Sequence, residues 1–383
     1  MSRTYQAAVV GTGFIGPVHV EALQRAGVQV TGILGSSPAR SREAAEQLGL
    51  NRAYADLAEL LADGSVDVVH ITSPNRHHFE QASAALRAGK HVLCEKPLAM
   101  TSDESRRLVA LAEQSGCFAG VAYNIRFYPL CHESAARVAK GELGSLLHVT
   151  GSYVQDWLLK PTDFNWRVSA EDGGALRAVA DIGTHWLDLV QFVTGQRITS
   201  VCADLQTVHR QRYRPLGGTQ TFSGDAEPRA TKAVDINTED AGFLLLRFAN
   251  GAKGSLHVSQ TTAGRKNCLR FEVAGDQQTL AFNSEQPNQL WIGHRDLPGE
   301  TLVRDPAMMA PAAAGIASYP GGHAEGFPDT FKQLFRTFYA SLDQGVLADA
   351  MPFPTFADGH REILLCEAIL QSHRTQSWVE VAS

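Results

Sequence analysis

The sequence predicts an α/β fold in which a doubly wound parallel sheet is followed by an α+β domain with a mixed, largely antiparallel open sheet. Through about residue 124, short apolar runs alternate with segments of helical spacing, as in a parallel sheet with crossover helices. Beyond that point extended runs follow one another across tight turns, and Asn250-Gly251 is typical of a β-hairpin. A chain of 383 residues also exceeds what one ordinary core organises. We therefore expect two domains, residues 1–124 and residues 125–383.

In the first half, each strand is predicted from a short apolar run, and most helices stop at a glycine. The run at 66–72 is β-branched and nearly all apolar, as a strand buried on both faces should be. The predicted strands are 7–10, 28–34, 66–72, 91–94 and 118–123. The predicted helices are 17–26, 41–48, 56–62, 78–88 and 102–114.

In the second half, strands predominate between two groups of helices. The predicted helices are 128–140, 181–193, 329–342 and 357–373. The predicted strands are 146–153, 198–205, 242–248, 254–259, 269–274 and 279–283. The segments 210–229 and 306–322 are predicted loops, and loops of this length in a compact domain often form lids or oligomer contacts.

Composition narrows the class of protein. The net charge of -6 argues against a general nucleic-acid binder, which normally carries a basic face. The six cysteines are scattered and form no CxxC pair, which favours reduced thiols over a disulfide scaffold or a zinc site. The first ten residues lack the apolar stretch of a signal peptide, and no run approaches the roughly 20 apolar residues of a membrane span. We expect a soluble, cytoplasmic protein that binds neither nucleic acid nor membrane, and no catalytic metal.

The first motif is a glycine loop of the form GxGxxG at the end of the first predicted strand. It reads Gly11-Thr12-Gly13-Phe14-Ile15-Gly16 and precedes a helix, which is the context of a dinucleotide-binding Rossmann domain. Gly11 permits the tight turn, Gly13 lets the backbone approach a diphosphate, and Gly16 lets helix and strand pack closely. The helix N-terminus then offers unpaired N–H groups to the phosphates. The alternative is a purely structural glycine turn.

The end of the second strand bears on which nicotinamide cofactor is bound. NAD enzymes usually carry a carboxylate there, which bonds the ribose diol, whereas residues 32–40 contain none. Ser36, Ser37 and Arg40 are instead suited to a 2′-phosphate, which favours NADP(H) and leaves NAD(H) possible. Alternatively, the two serines only cap the following helix.

Two further segments carry candidate catalytic groups. Lys96 follows the strand ending at Cys94, at the sheet edge where ligands bind in this architecture, and supplies a positive charge to a substrate oxygen. If residues 181–193 are helical, Asp181, His185 and Asp188 share one face near the helix N-terminus. That position disfavours imidazolium, and a neutral histidine is what a base for an alcohol proton must be. The alternatives are a surface lysine and a core histidine.

Four motifs in order resemble the Gfo/Idh/MocA oxidoreductases, a family named for glucose–fructose oxidoreductase and inositol dehydrogenase. These are the glycine loop, Ser73-Pro74-Asn75 with His78, Glu95-Lys96-Pro97, and Gly173-Gly174 leading to Asp181, His185 and Asp188. The resemblance implies a nicotinamide-binding first domain, a second domain for substrate binding and oligomerisation, and a catalytic set of Lys96, Asp181 and His185. The gap from Gly174 to Asp181 is longer than in many members, so no role is assigned to Arg177.

The resemblance also implies residues around the cofactor and the substrate. Beyond the glycine loop and residues 36, 37 and 40, the implied cofactor contacts are Thr72, Ser73, Pro74, Asn75, His78, Glu95, Lys96, Asn124, Trp166 and Arg167. The implied substrate contacts are Lys96, Tyr123, Arg126, Asp156, Trp166, Arg167, Asp181, His185 and His323. Three tryptophans near these segments, Trp157, Trp166 and Trp186, offer flat faces to a sugar, although at least one is expected in the core.

These expectations combine into one functional hypothesis. The chain is expected to be an NAD(P)-dependent dehydrogenase that transfers hydride to or from a secondary alcohol of a sugar, glycoside or inositol-like polyol. His185 would move the hydroxyl proton, and Lys96 would stabilise charge on the same oxygen. The alternatives are a non-catalytic dinucleotide-binding regulator of the same fold and an NAD-dependent glycoside hydrolase. An exposed apolar sheet in the second domain would favour a homodimer or homotetramer.

Overall fold

The computed structural model describes residues 4–216, 230–345, 347 and 351–382. The chain forms two compact units: the first contains Met1–Asn124 and Pro328–Ile363, and the second contains Ile125–Phe327 and Leu364–Ser383. The first change of unit falls where the sequence predicts a domain boundary, after residue 124. Residues 328–363 belong to the first unit, whereas the sequence analysis assigns them to the second domain.

The first unit is a six-stranded parallel sheet with helices between consecutive strands. Its strand order is β3-β2-β1-β4-β5-β6, so the order reverses between β1 and β4. Its strands are β1 (Gln6–Val10), β2 (Gln29–Leu34), β3 (Arg52–Tyr54), β4 (Val68–Ile71), β5 (His91–Cys94) and β6 (Ala119–Val121). Its intervening helices are α1 (Ile15–Arg25), α2 (Pro38–Gln47), α3 (Leu57–Ala62), α4 (His78–Arg87) and α5 (Ser102–Ser115). In such a sheet, ligands bind at the carboxyl ends of the strands where the order reverses.

The second unit is built on a nine-stranded sheet of order β16-β15-β14-β13-β7-β12-β11-β8-β17. Only the pair of β7 and β12 is parallel among these neighbours, so the sheet is mixed and largely antiparallel. The first strands of the unit are β7 (Leu146–Val154), β8 (Ile198–Gln206), β9 (Gln211–Pro215), β10 (Thr231–Asp235), β11 (Ala241–Phe248) and β12 (Lys253–Ser259), of which β9 and β10 form a separate two-stranded sheet. The others are β13 (Cys268–Gly275), β14 (Gln278–Asn283), β15 (Gln289–His294), β16 (Glu300–Val303) and β17 (Val379–Glu380). Both halves of the predicted fold class are thereby confirmed.

Helices of the second unit cover one face of this sheet, where the main core of the unit lies. The helices after residue 124 are α6 (Pro129–Ala139), α7 (Ala170–Gly173), α8 (Thr184–Thr194), α9 (Pro311–Ala314), α10 (Phe327–Gln344) and α11 (Phe356–Thr375). Of these, α10 from residue 328 onward and α11 up to residue 363 belong to the first unit. Trp186 of α8 is fully buried on the sheet and donates its indole N–H to the carbonyl of Arg270 at 2.8 Å. A side chain at Gly151 would lie 2.4 Å from that indole nitrogen, so this glycine lets the helix approach the sheet.

Two predicted loops contain regular structure. In the segment 210–229, residues 211–215 form β9, which pairs with β10 just beyond the segment as a two-stranded ribbon, and residues 217–229 lie outside the described residues. The segment 306–322 holds a short 3₁₀ turn at Pro306–Met308 and the helix α9. The predicted hairpin at Asn250-Gly251 joins β11 to β12, and Gly251 has a φ of +91°. Within the described ranges, no helix combines the length and apolarity that crossing a bilayer requires.

Candidate active site

The glycine loop lies between β1 and α1, with each glycine in a different environment. Gly11 has a φ of +118°, and a Cβ there would lie 2.5 Å from Thr72 Oγ1. A Cβ at Gly16 would lie 2.2 Å from the carbonyl oxygen of Gly11. A Cβ at Gly13 would meet no heavy atom of the described residues within 4 Å. The loop is therefore closed at its two ends and open in the middle, which fits a diphosphate held against the N-terminus of α1.

Two side chains of the implied cofactor set hold the neighbouring loops together. The hydroxyl of Thr72 donates to the carbonyl of Val10 at 2.9 Å and so fixes the start of the glycine loop. The buried ring of His78 contacts the carbonyl oxygens of Ser73 and Pro97, each at 2.8 Å. Burial lowers the pKa of His78, although both carbonyl contacts favour the protonated ring. His78 thus connects the segment 73–75 to the segment that contains Lys96.

In the segment between β2 and α2, the predicted phosphate-binding residues Ser37 and Arg40 both have partners within the protein. Ser37 is the N-cap of α2, and its hydroxyl accepts from the backbone N–H of Arg40 at 3.3 Å. Arg40 forms an exposed ion pair with Glu43 at 2.8 Å. The capping interpretation of Ser37 is therefore correct, and Ser36 directly precedes this N-cap in the chain.

Lys96 follows β5 at the carboxyl edge of the parallel sheet, as the sequence predicts. Its backbone N–H donates to the carboxylate of Glu95 at 3.2 Å. Asn124, at the end of the first unit's N-terminal segment, is buried and donates from its side-chain amide to Thr330 at 2.7 Å. Tyr123 is fully buried in the hydrophobic core of that unit. Lys96, Glu95 and the residues of the glycine loop therefore all lie in one unit.

The predicted helix containing Asp181 and His185 begins differently from what was expected. Residues Val179–Gly183 form one turn of π-helix, and α8 starts only at Thr184. His185 thus follows a preceding helical turn and does not stand at a free helix N-terminus. Since the dipole effect falls off within the first turn, the argument that the helix start keeps His185 neutral is wrong. π-turns arise where an extra residue is inserted in a helix and occur often at functional sites.

The carboxylate of Asp181 is held by two partners within the second unit. Its Oδ2 accepts from Gln260 Nε2 at 2.8 Å, and its Oδ1 accepts from Arg167 Nε at 3.2 Å. The guanidinium of Arg167 also stacks over the ring of Trp166, 4.4 Å from its centroid. These contacts orient Asp181 as an acceptor with its charge compensated. Three of the predicted site residues, Trp166, Arg167 and Asp181, are therefore brought together.

A buried ionic cluster contacts Gln260, the partner of Asp181, and the sequence analysis did not predict it. Arg177 and Arg212, both with fully buried side chains, form ion pairs with the buried carboxylate of Asp240. Arg177 also approaches Gln260 Oε1 at 3.4 Å. Arg177 therefore anchors the segment that leads into the π-turn, a role that the sequence left unassigned. Glu239 anchors the same segment, since its carboxylate accepts from the backbone N–H of residues 177 and 179 at 2.9 Å.

The other predicted substrate residues lie in varied settings. Arg126 makes a bidentate ion pair with the buried Asp188, so Asp188 is a structural partner of Arg126. Asp156 accepts from Lys266 Nζ at 2.7 Å, and His323 is exposed beside the carbonyl of Gly321. His185 is buried, with the ring of Tyr153 at 6.2 Å between centroids. The sequence analysis did not identify three residues of this region, Gln260, Asp240 and Arg212. Their partners are 28 to 83 residues away in the chain, and no local sequence pattern indicates such pairs.

Most of the chain is similar to known proteins of one family. The NAD-binding Rossmann-fold model of the GFO_IDH_MocA oxidoreductase family matches residues 5–123, and the GFO/IDH/MocA C-terminal domain model matches residues 132–281. Levoglucosan dehydrogenase of Pseudarthrobacter phenanthrenivorans is 31% identical over 91% of this chain and 88% of its own length. D-xylose 1-dehydrogenase (NADP(+)) 2 of Haloferax volcanii is 37% identical over 72% of this chain and 83% of its own.

A solved structure of levoglucosan dehydrogenase in complex with NADH and L-sorbose is also similar. It superposes with a TM-score of 0.89 at 28% identity and covers 100% of both chains.

Proposed function

This chain belongs to the Gfo/Idh/MocA oxidoreductases, a family of NAD(P)-dependent enzymes, and we propose that it transfers hydride between a nicotinamide cofactor and a secondary alcohol or ketone of a sugar, glycoside or cyclic polyol. The observation that carries the proposal is the glycine loop, in which Gly11 and Gly16 are sterically closed while Gly13 faces open space. A backbone with this pattern accepts a diphosphate at the helix N-terminus.

The roles proposed for the side chains follow from their chemistry. The nicotinamide, when bound, supplies the hydride acceptor or donor. His185 takes the proton of the substrate hydroxyl during oxidation and returns it during reduction. Lys96 donates a hydrogen bond to the same oxygen and stabilises its negative charge. Asp181, whose carboxylate is fixed by Gln260 and Arg167, orients the substrate hydroxyl and biases His185 electrostatically.

We also propose that the other residues named in the sequence analysis as cofactor and substrate contacts bind the nicotinamide cofactor and the sugar. Arg167 stacks on Trp166 and presents a flat, charged surface beside Asp181, which suits the C–H face and hydroxyls of a pyranose ring. Since levoglucosan dehydrogenase is among the relatives, an anhydro sugar is the first substrate to test, followed by glycosides and inositols.

For the cofactor we propose a preference for NADP(H) over NAD(H). Residues 32–40 carry no carboxylate to repel a 2′-phosphate. The exposed pair of Arg40 and Glu43 is worth only about 0–1 kcal/mol, so Arg40 is readily available to that phosphate. The D-xylose dehydrogenase relative is named for NADP(+), whereas the levoglucosan dehydrogenase structure holds NADH.

We also propose a cytoplasmic location and a homo-oligomeric state. All six cysteines are free and five are buried, as in proteins of a reducing compartment. The open face of the large sheet carries the exposed apolar side chains of Phe243, Leu245 and Trp291, which supports association of identical chains.

The experiment is a panel of levoglucosan, glucosides, free sugars and inositols, each offered with NAD⁺ and NADP⁺ and followed by the absorbance of the reduced cofactor. The expected result is turnover with at least one cyclic sugar or polyol and a larger kcat/KM with NADP⁺. Release of aglycone without net cofactor reduction would instead identify a glycoside hydrolase. Tight cofactor binding with no product from any compound would indicate a regulator.

A further inference from the structure

The core of the first unit contains four polar side chains in a continuous hydrogen-bonded row. Glu95 Oε1 lies 3.1 Å from His19 Nε2, and His19 Nδ1 lies 3.1 Å from His70 Nδ1. His70 Nε2 in turn lies 3.0 Å from the hydroxyl of Tyr339. Both histidines are 0% exposed, and Glu95 and Tyr339 are 7% and 6% exposed. We call these four residues the histidine row.

Burial sets the protonation of two members of the row. Burial, and then the neighbouring His19, lower the pKa of His70 well below its usual value, and burial raises the pKa of Tyr339. His70 is therefore neutral and Tyr339 is a phenol at neutral pH. Facing a carboxylate, His19 Nε2 donates to Glu95. The bonds from His19 to His70 and from His70 to Tyr339 each join two groups that can donate or accept.

The row connects three segments that matter for the site. His19 lies in α1, directly after the glycine loop, and His70 lies in β4, two residues before Thr72. Glu95 precedes Lys96 and accepts the backbone N–H of that lysine with its other oxygen, at 3.2 Å. The row therefore joins the helix of the phosphate loop to the backbone of the proposed catalytic lysine.

Helix α10 completes the row from the far end of the sequence. Besides Tyr339 it supplies Phe331 and Phe335, whose rings lie 5.4 and 4.9 Å from the ring of His19 between centroids. Phe335 also packs edge-on against His70 at 4.8 Å. This aromatic cover excludes water from both imidazoles and explains why residues 328–363 belong to the first unit.

Stability alone does not account for four polar groups in this position. Replacing a buried polar or ionic network by apolar residues of similar volume is often neutral or stabilising. Such a network does, however, specify one arrangement of its members, because each donor is satisfied only by its own partner. Here the member at the end of the row holds the peptide N–H of Lys96.

We propose that the histidine row is a positioning device for Lys96, in which His19 and His70 hold Glu95 so that the Glu95–Lys96 peptide keeps a fixed place relative to the glycine loop. The catalytic part of this inference rests on the function proposed above for Lys96. Glu95, His19, His70 and Tyr339 are then positioning residues. An ammonium group displaced by about 1 Å from its productive place can cost about 100-fold in rate.

The test compares the substitutions His19→Leu and His19→Gln with the control Phe353→Leu. Leucine fills the space of the imidazole but gives Glu95 no donor, whereas the glutamine amide can replace Nε2–H. Phe353 is buried in the same unit and packs on Phe338 at 4.9 Å, so its loss weakens the core without removing a member of the row. Two readouts are taken: hydrogen–deuterium exchange of the peptide spanning residues 91–98, and kcat per cofactor-binding site.

The expected results form one pattern. His19→Leu speeds exchange at the Lys96 amide and lowers kcat about 10- to 100-fold, while the dissociation constant of NADPH stays near the wild-type value. His19→Gln restores most of both losses. Phe353→Leu lowers the melting temperature and leaves both local exchange and kcat unchanged.

Unchanged exchange at Lys96 in His19→Leu would overturn the proposal, and so would faster exchange with a wild-type kcat. The exchange readout needs no substrate. If the wild-type protein oxidises nothing in the panel and His19→Leu still loosens the Lys96 amide, the function proposed for the site is wrong while the row still positions that residue.

Discussion

At the scale of single residues, the glycine loop separates the requirements of folding from those of binding. A methyl group at Gly16 would overlap the carbonyl of Gly11, whereas a methyl group at Gly13 would project into open space. The same chemical change at positions three residues apart therefore has different consequences.

We expect Gly16→Ala to destabilise the protein by about 1–3 kcal/mol, because the turn or the helix must move to make room. Gly13→Ala should melt at the wild-type temperature and bind NADPH about tenfold or more weakly, since the methyl group would occupy space needed for close approach of the diphosphate. Thermal unfolding and a titration of cofactor fluorescence measure the two effects. Wild-type affinity in Gly13→Ala would contradict the assignment of the loop.

His185 is the residue with the largest predicted effect on turnover. His185→Ala should lower kcat about 100- to 10,000-fold, the usual range for loss of a general acid–base group, with cofactor binding retained. His148→Ala, which removes an exposed imidazole on β7, is the matched control and should behave as wild type. Steady-state kinetics at saturating substrate decide the matter, and turnover close to wild type in His185→Ala would remove this histidine from the mechanism.

At the scale of elements, the π-turn and the ionic cluster behind it act together. Arg177 lies just before the turn, and Asp181 lies within it. Burial alone would raise the pKa of Asp240, but the guanidinium of Arg177, a backbone hydrogen bond from His209 and the guanidinium of Arg212 hold that pKa below its ordinary 3.8. The cluster is thus stable only with the carboxylate ionised.

Asp240→Asn should destabilise the protein at neutral pH by about 3–5 kcal/mol, because it leaves two buried guanidinium groups without their anion. A carboxyl whose pKa is lower in the folded than in the unfolded state stabilises above its unfolded pKa and loses that contribution as pH falls. The difference between wild type and variant should therefore shrink as pH falls below about 4. Urea unfolding at pH 7 and at several acidic pH values measures it, and a difference that is constant with pH would show that Asp240 is not ionised.

Most elements of the first unit were predictable, because every strand except β3 coincides with an apolar run and most of the crossover helices are followed by a glycine. β4 and β5 are examples, and α3 begins within one residue of its predicted start, directly after its N-cap Asp56. The π-turn was not predictable, since Asp181 and His185 keep the i,i+4 spacing of an ordinary helix. β3 has only three residues, too few to show a period. Amphipathic spacing predicted α10, but the identity of its buried partners, His19 and His70, depends on pairs more than 250 residues apart.

At the scale of the whole molecule, the open face of the large sheet is the most conspicuous surface. Strand β11 presents Phe243 and Leu245 there, 51% and 52% exposed, and β15 presents Trp291, 45% exposed. Phe243 stacks on His257 of the neighbouring strand at 4.8 Å between centroids. Phe243 and Leu245, two residues apart on β11, form an exposed apolar patch of the kind that marks interaction sites, which supports the proposed association of identical chains through this face.

Phe243→Asp should therefore convert the oligomer to a smaller species, because a carboxylate would be buried without a partner in the interface. Leu297→Asp, at a loop position that is 64% exposed, is the control and should leave the mass unchanged. Light scattering after size-exclusion chromatography reports both masses. A wild-type protein that is already monomeric would show that this face is solvated.

Because residues 328–363 belong to the first unit, that unit cannot be completed until most of the chain has been synthesised. The cover over His19 and His70 leaves the ribosome only after the whole intervening second-unit segment has been made. Until then the nascent parallel sheet exposes its two imidazoles and the apolar surface around them to water. A fragment ending at Asn124 therefore stops at a state that every growing chain passes through, and its half-life before aggregation measures how long a chaperone must protect that state in the cell.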